Sequence, residues 1–146
     1  MNLPPDFKEF LKLLNSSGIE YLLIGGYAVG YHGYPRATAD LDIWIAIGSE
    51  NARNMMAVLK EFGFDLPQLR VEIFESEDQL IRLGRPPIQI EILTTISGVE
   101  FAECYAGRID DNIDGVPAKI ISLEHLKKNK RASGRHQDLA DLEHLP

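Results

Sequence analysis

Two aspartates separated by one residue, Asp40 and Asp42, are the first feature with evident chemical potential. On a β-strand, residues i and i+2 point to the same face. Carboxylates placed side by side repel each other unless something positive lies between them. Leu41 to Ile47 is β-branched and aromatic, with no polar side chain after Asp42, so a strand is expected there. On their own these two residues fit two readings. One is a pair of solvated aspartates at the start of a strand. The other is a site for a hard cation such as Mg²⁺, which takes carboxylate oxygens and keeps positions open for substrate phosphates. Glu91 is a third candidate, because it lies in Gln89-Ile90-Glu91-Ile92 with apolar residues on both sides. A carboxylate inside such a strand is costly unless it is paired or metal-bound. If its strand neighbours that of Asp40 and Asp42, Glu91 completes a three-carboxylate cluster and can accept a proton from an attacking hydroxyl.

The elements that must position these groups can be read from spacing. Pro4-Pro5-Asp6 starts a helix, with Phe7, Phe10, Leu11 and Leu14 on one face. Tyr21 to Ile24 is a continuous apolar run closed by Gly25-Gly26, which reads as a buried strand entering a tight turn. If a helix begins at that turn, its free N–H groups favour an anion such as phosphate. Close packing explains two glycines equally well. Tyr27 to His32 is expected as a short helix. Ser49 is expected to cap the next one, in which Ala52, Met55, Met56, Leu59 and Phe62 recur at helical spacing before Gly63. Arg70 to Phe74 and Leu80 to Leu83 are predicted as short strands, and Arg85-Pro86-Pro87 as a turn. Ile88, Ile90 and Ile92 alternate along a further strand. Val99 to Tyr105 is weakly helical, and Asn112 to Gly115 resembles a hairpin turn. Ser122 caps a helix reaching about Arg131. The last helix runs from about Arg135 to Leu145, with Leu139, Leu142 and Leu145 predicted on one face.

Strands alternate with helices, so the expected fold class is α/β (α+β), a mixed sheet flanked by helices. The length, 146 residues, fits one domain spanning 1–146. No run of about 18 apolar residues is present, and the N-terminus lacks a secretory pattern; a cytoplasmic protein without membrane contact is expected. The only cysteine, Cys104, cannot form an internal disulfide, and no Cys/His spacing suggests zinc. A net charge of -7 argues against non-specific coating of nucleic acid. Lys127, Lys128, Lys130, Arg131 and Arg135 nevertheless form a local basic cluster, read as a solvated helix face or an anion contact. Trp44 is expected in the core, and the four histidines show no ligand spacing.

Taken together, Gly25-Gly26, Arg36-x-Thr38-x-Asp40-x-Asp42 and Glu91 resemble the nucleotidyltransferase superfamily, the polymerase-β-like fold. The arginine–threonine form is especially similar to the bacterial minimal nucleotidyltransferases and the abortive-infection toxins. Gly134 to Leu142 resembles the segment that often closes such domains. Three positions depart from the pattern. Gly26 stands where many active members have Ser, Glu91 where Asp is usual, and Gln137 where Lys often sits.

The resemblance implies transfer of a nucleoside monophosphate from a nucleoside triphosphate to a hydroxyl of an RNA, protein or small-molecule acceptor. It places two Mg²⁺ ions, or Mn²⁺, on Asp40, Asp42 and Glu91, which would be the catalytic residues. It assigns triphosphate binding to Gly25, Gly26 and Tyr27, with Arg36, Lys130 and Arg135 as candidates for the remaining charge. Asp138 and Asp141 are assigned a structural role, pairing with Arg135 or the preceding basic helix. The three departures support an alternative: a catalytically weak binding module, such as one component of a toxin–antitoxin pair.

Overall fold

A computed structural model of the chain describes residues 1–146. Helix α1 (Pro5–Ser16) opens with proline in its first turn and buries Phe7, Phe10, Leu11 and Leu14, the stripe set by their spacing. Strand β1 (Tyr21–Ile24) is buried at every position and runs straight into α2 (Gly25–Tyr31). That helix starts two residues earlier than predicted, so both glycines lie in its first turn. Strand β2 (Asp40–Ile45) leads to α3 (Ser49–Phe62). Here Ser49 is the first helical residue and makes no cap hydrogen bond; Gly48 holds the N-cap position.

The segment predicted as a strand from Arg70 to Phe74 is instead a 3₁₀ helix, Val71–Glu75. It packs against α3, with Phe74 wholly buried. Single-residue spacing could not separate the two outcomes, because one buried aromatic suits either. Strands β3 (Leu80–Arg85) and β4 (Ile88–Leu93) form a hairpin across Pro86-Pro87. After α4 (Phe101–Ala106) come β5 (Ile109–Ile113) and β6 (Val116–Ile120). They join through Asp114 and Gly115, whose φ values of 50° and 81° suit a tight hairpin turn. The chain ends in α5 (Leu123–Ser133) and α6 (His136–His144). Ser122 caps α5 by accepting from the His125 N–H at 3.2 Å.

The six strands form one mixed sheet in the order β3-β4-β2-β1-β6-β5. Strand β2 is antiparallel to β1 and parallel to β4. Leu41, Ile43 and Ile45 face one side of the sheet and are wholly buried. Asp40, Asp42 and Trp44 face the other. Trp44 packs edge-on against Phe101 of α4 at 5.0 Å, while Phe10 of α1 meets Phe62 of α3 at 5.2 Å. Cys104 lies in the core, and burial pushes its thiol up to about 11. No helix is long and apolar enough to cross a membrane.

The last helix departs from its predicted face. Leu139 is 48% exposed, while Asp138 and Asp141 are buried. Apolar spacing mispredicts α6 because its inner face is polar and meets cations, as described below.

Two glycines with nearly equal φ separate conformation from space. Gly18 (φ 67°) has open surroundings, whereas a side chain at Gly25 (φ 69°) would overlap the Asp42 carboxylate. Gly18→Ala should therefore cost about 1 kcal/mol, the penalty of a left-handed backbone alone. Gly25→Ala should cost roughly 3 kcal/mol or more, since the half-buried Asp42 carboxylate must also move. Urea denaturation of the two variants checks the difference.

Candidate active site

The parallel register of β2 and β4 sets Asp40 opposite Gln89 and Asp42 opposite Glu91. One carboxylate oxygen from each of Asp40, Asp42 and Glu91 can be chosen so that all three lie within 4.8 Å of one another. Like charges this close raise each other's proton affinity. Burial, then Glu91, then Asp40 push the Asp42 carboxyl up to about 7, with Lys130 opposing. Burial and Glu91 also raise Asp40. The Asp42 Oδ1 atom is buried and has no hydrogen-bond partner. A buried carboxylate oxygen without a donor is costly. Three convergent hard oxygens, beside a buried Asp42 oxygen that lacks a donor, match what a divalent cation such as Mg²⁺ takes as ligands. The donor set therefore fits the metal.

Asp42 and Glu91 open onto a cleft of about 340 Å³ that is also lined by Gly25, Arg82, Lys130 and Arg135 among others. Gly26, Tyr27 and Arg36 line a separate hollow with Thr38 and Gly30. The residues expected to bind triphosphate are thus divided between two surfaces. Gly25, Lys130 and Arg135 share the carboxylate cleft, and Gly26, Tyr27 and Arg36 do not.

The three expected cations converge on α6. Arg36 grips Asp141 with two parallel hydrogen bonds, Nε to Oδ1 at 2.8 Å and Nη2 to Oδ2 at 3.0 Å. The Lys130 ammonium donates to Asp138 at 3.0 Å and lies 3.1 Å from Asp141. Its side chain is only 6% exposed. Arg135 Nε donates to Asp138 at 2.9 Å, while most of its side chain stays in solvent. Burial alone would raise the Asp138 carboxyl, but Arg135, Ser133 and Lys130 outweigh it and hold it below the usual range. Asp141 is likewise held low, against its burial, by Arg36, Lys130 and Gln137. Lys130 and Arg36 are therefore engaged by protein carboxylates.

The departures from the superfamily pattern each have a local cause. Gln137 Nε2 donates to Asp141 Oδ1 at 2.9 Å. Together with Arg36 and Lys130 it fills the carboxylate's acceptor sites without a third positive charge. A side chain at Gly26 would overlap Thr38, whose hydroxyl donates to the Asp40 carbonyl at 3.4 Å. Thr38 thus takes the space beside Gly26 and braces the start of β2. The longer Glu91 carboxylate reaches Arg82 of β3, whose Nε donates to its Oε1 at 2.9 Å. No local pattern in the sequence marks Arg82 as part of the site. The only available signal was its position in an edge strand paired with that of Glu91, and that pairing is tertiary.

This sheet, with its carboxylates on adjacent strands, is the nucleotidyltransferase fold. Among solved structures, a protein from Thermotoga maritima described as a putative nucleotidyltransferase is similar at 18% identity, with a TM-score of 0.65 and coverage of 94% of this chain and 88% of that one. A nucleotidyltransferase-like antigenic protein from Paracoccidioides brasiliensis is 21% identical, with a TM-score of 0.55 and coverage of 93% and 71%. The antibiotic-resistance factor ANT(2'')-Ia is 12% identical, with a TM-score of 0.59 and coverage of 94% and 79%. No curated protein sequence matches the chain significantly. Residues 6–145 match the aminoglycoside-2''-adenylyltransferase family, and the chain belongs to that family.

Two outcomes test the electrostatics. Lys130→Met should lose about 3 kcal/mol in urea denaturation, because two buried aspartates lose a shared cation. For Asp42, the folded value near 7 exceeds its ordinary 3.8. Its contribution to stability is full below the ordinary value and is lost as pH rises through 7. In EDTA, Asp42→Asn should melt close to wild type near pH 4 and roughly 6 °C above it near pH 8, from about 2 kcal/mol of relieved repulsion. Thermal melts across that range read the difference.

Proposed function

We propose that the protein transfers a nucleoside monophosphate from a nucleoside triphosphate to a hydroxyl of a small-molecule acceptor, with a divalent cation held by Asp40, Asp42 and Glu91. The observation that carries this reading is the clustering of the three carboxylates, with one oxygen of each within 4.8 Å of the others. When bound there, Mg²⁺ supplies neutralisation of phosphate charge and acidification of the attacking hydroxyl. Asp40 and Asp42 would hold the cation from β2, and Glu91 would share it or take the hydroxyl proton. Gly25 allows the backbone to approach the carboxylates, and its N–H is among the free donors of the first turn of α2. Arg135 keeps its terminal nitrogens in solvent at the cleft and can meet phosphate. The family name favours ATP as donor and an amino-sugar hydroxyl as acceptor over RNA or protein.

A second reading, a weakly catalytic partner-binding module of a toxin–antitoxin pair, draws on the Arg82–Glu91 ion pair. In that reading the guanidinium keeps a metal-binding carboxylate occupied.

The two separate in a thermal-shift experiment with ATP, CTP, GTP and UTP, each with and without Mg²⁺. Catalytic competence predicts a Mg²⁺-dependent rise in melting temperature, largest with ATP, since a ligand bound only to the folded state stabilises it. Asp40→Ala/Asp42→Ala should abolish that rise. No shift at millimolar nucleotide in wild type would sink the enzyme reading and leave the partner-binding one.

A further inference from the structure

Among the cations around the cleft, Arg82 alone is paired with one of the three clustered carboxylates. Strand β3 is an edge of the sheet, and its register sets Arg82 directly opposite Glu91. Glu91 is 18% exposed at its side chain, and Arg82 is 60% exposed. The guanidinium has five N–H donors. Only the Nε–H has a protein acceptor, so the other four are open at the cleft. Lys130 and Arg36, by contrast, are held by two buried aspartates that need them. A flexible, exposed arginine on an edge strand can change partner at little cost, whereas those two cannot.

We propose that Arg82 occupies two positions: on Glu91 while the carboxylates hold no divalent cation, and on the phosphates of the nucleotide once they do. In the first position it offsets part of the repulsion among the three carboxylates. In the second, Glu91 turns its charge to the cation and Arg82 presents its planar fork to phosphate oxygens, the geometry in which arginine binds phosphate in pairs of hydrogen bonds. Arg82 thereby couples cation binding to nucleotide binding. The proposal rests on the reading that this cleft binds a nucleoside triphosphate.

The test measures two affinities in wild type, Arg82→Gln and Arg82→Lys. Mn²⁺ binding is followed by the electron paramagnetic resonance of the free ion. Binding of an ATP analogue with a methylene bridge between the α and β phosphates is followed by calorimetry in saturating Mn²⁺. Arg82→Gln should bind Mn²⁺ alone more tightly, because a competitor for Glu91 is gone. It should bind the analogue about tenfold more weakly, the loss expected for one charged hydrogen-bonded contact. Arg82→Lys should recover part of the analogue affinity. Because the side chain is largely exposed, the variants should fold, and matching circular-dichroism melts check this. Analogue affinity within twofold of wild type in Arg82→Gln overturns the proposal and leaves Arg82 as a fixed ion pair of the sheet edge. Mn²⁺ affinity that is unchanged or weaker in that variant overturns the first position. Failure of wild type itself to bind the analogue overturns the nucleotidyltransferase reading, and this proposal with it.

Discussion

Repulsion among Asp40, Asp42 and Glu91 is the constraint around which the rest of the structure is arranged. Three carboxylates share one face of two parallel strands, and the middle one, half-buried, has a buried oxygen that no protein group satisfies. A sheet built only for stability would place apolar or hydrogen-bonded groups at these positions. The opposite face of β2 shows that alternative, since Leu41, Ile43 and Ile45 are wholly buried there. One face of the strand holds the fold together, and the other stores an electrostatic cost that a bound cation would relieve.

That cost is met locally by two kinds of positive group. Lys130 lowers the proton affinity of Asp42 from within the protein, but it is itself fixed by Asp138 and Asp141. Arg36 ties the segment just before β2 to α6 through the same Asp141. The α5–α6 pair therefore acts as a charged clamp. It places a cation near the carboxylates and anchors the chain as it approaches β2. Buried ion networks of this kind contribute little net stability compared with apolar packing, yet removing one member leaves a charge uncompensated. Arg82 belongs to the other kind, being exposed and directly attached to Glu91.

The departures at Gly26, Glu91 and Gln137 look like losses when counted against a motif. In three dimensions each is matched by a neighbour. Thr38 occupies the space beside Gly26, Arg82 meets the longer Glu91 side chain, and Gln137 completes the shell of Asp141 without adding charge.

Much of this was legible in the chain itself. Apolar spacing determined α1, β1, β2 and most of α3, because a stripe of period 3.6 or an unbroken buried run has one cheap solution in water. The order of Gly25-Gly26, Asp-x-Asp and the later Glu91 determined the superfamily. Strand alternation alone determined that Asp40 and Asp42 share a face. Where spacing and burial part company, the sequence was silent or misleading. Leu139 invited an apolar face for α6, yet the helix turns Asp138 and Asp141 inward, because cations from the segment before β2 and from α5 meet them there. The expected phosphate ligands Arg36 and Lys130 were bound by those aspartates for the same reason. Only the tertiary structure decided that β4 lies beside β2 and that Arg82 lies opposite Glu91, since strand order and register arise from contacts between segments far apart in the chain, to which no local pattern is sensitive.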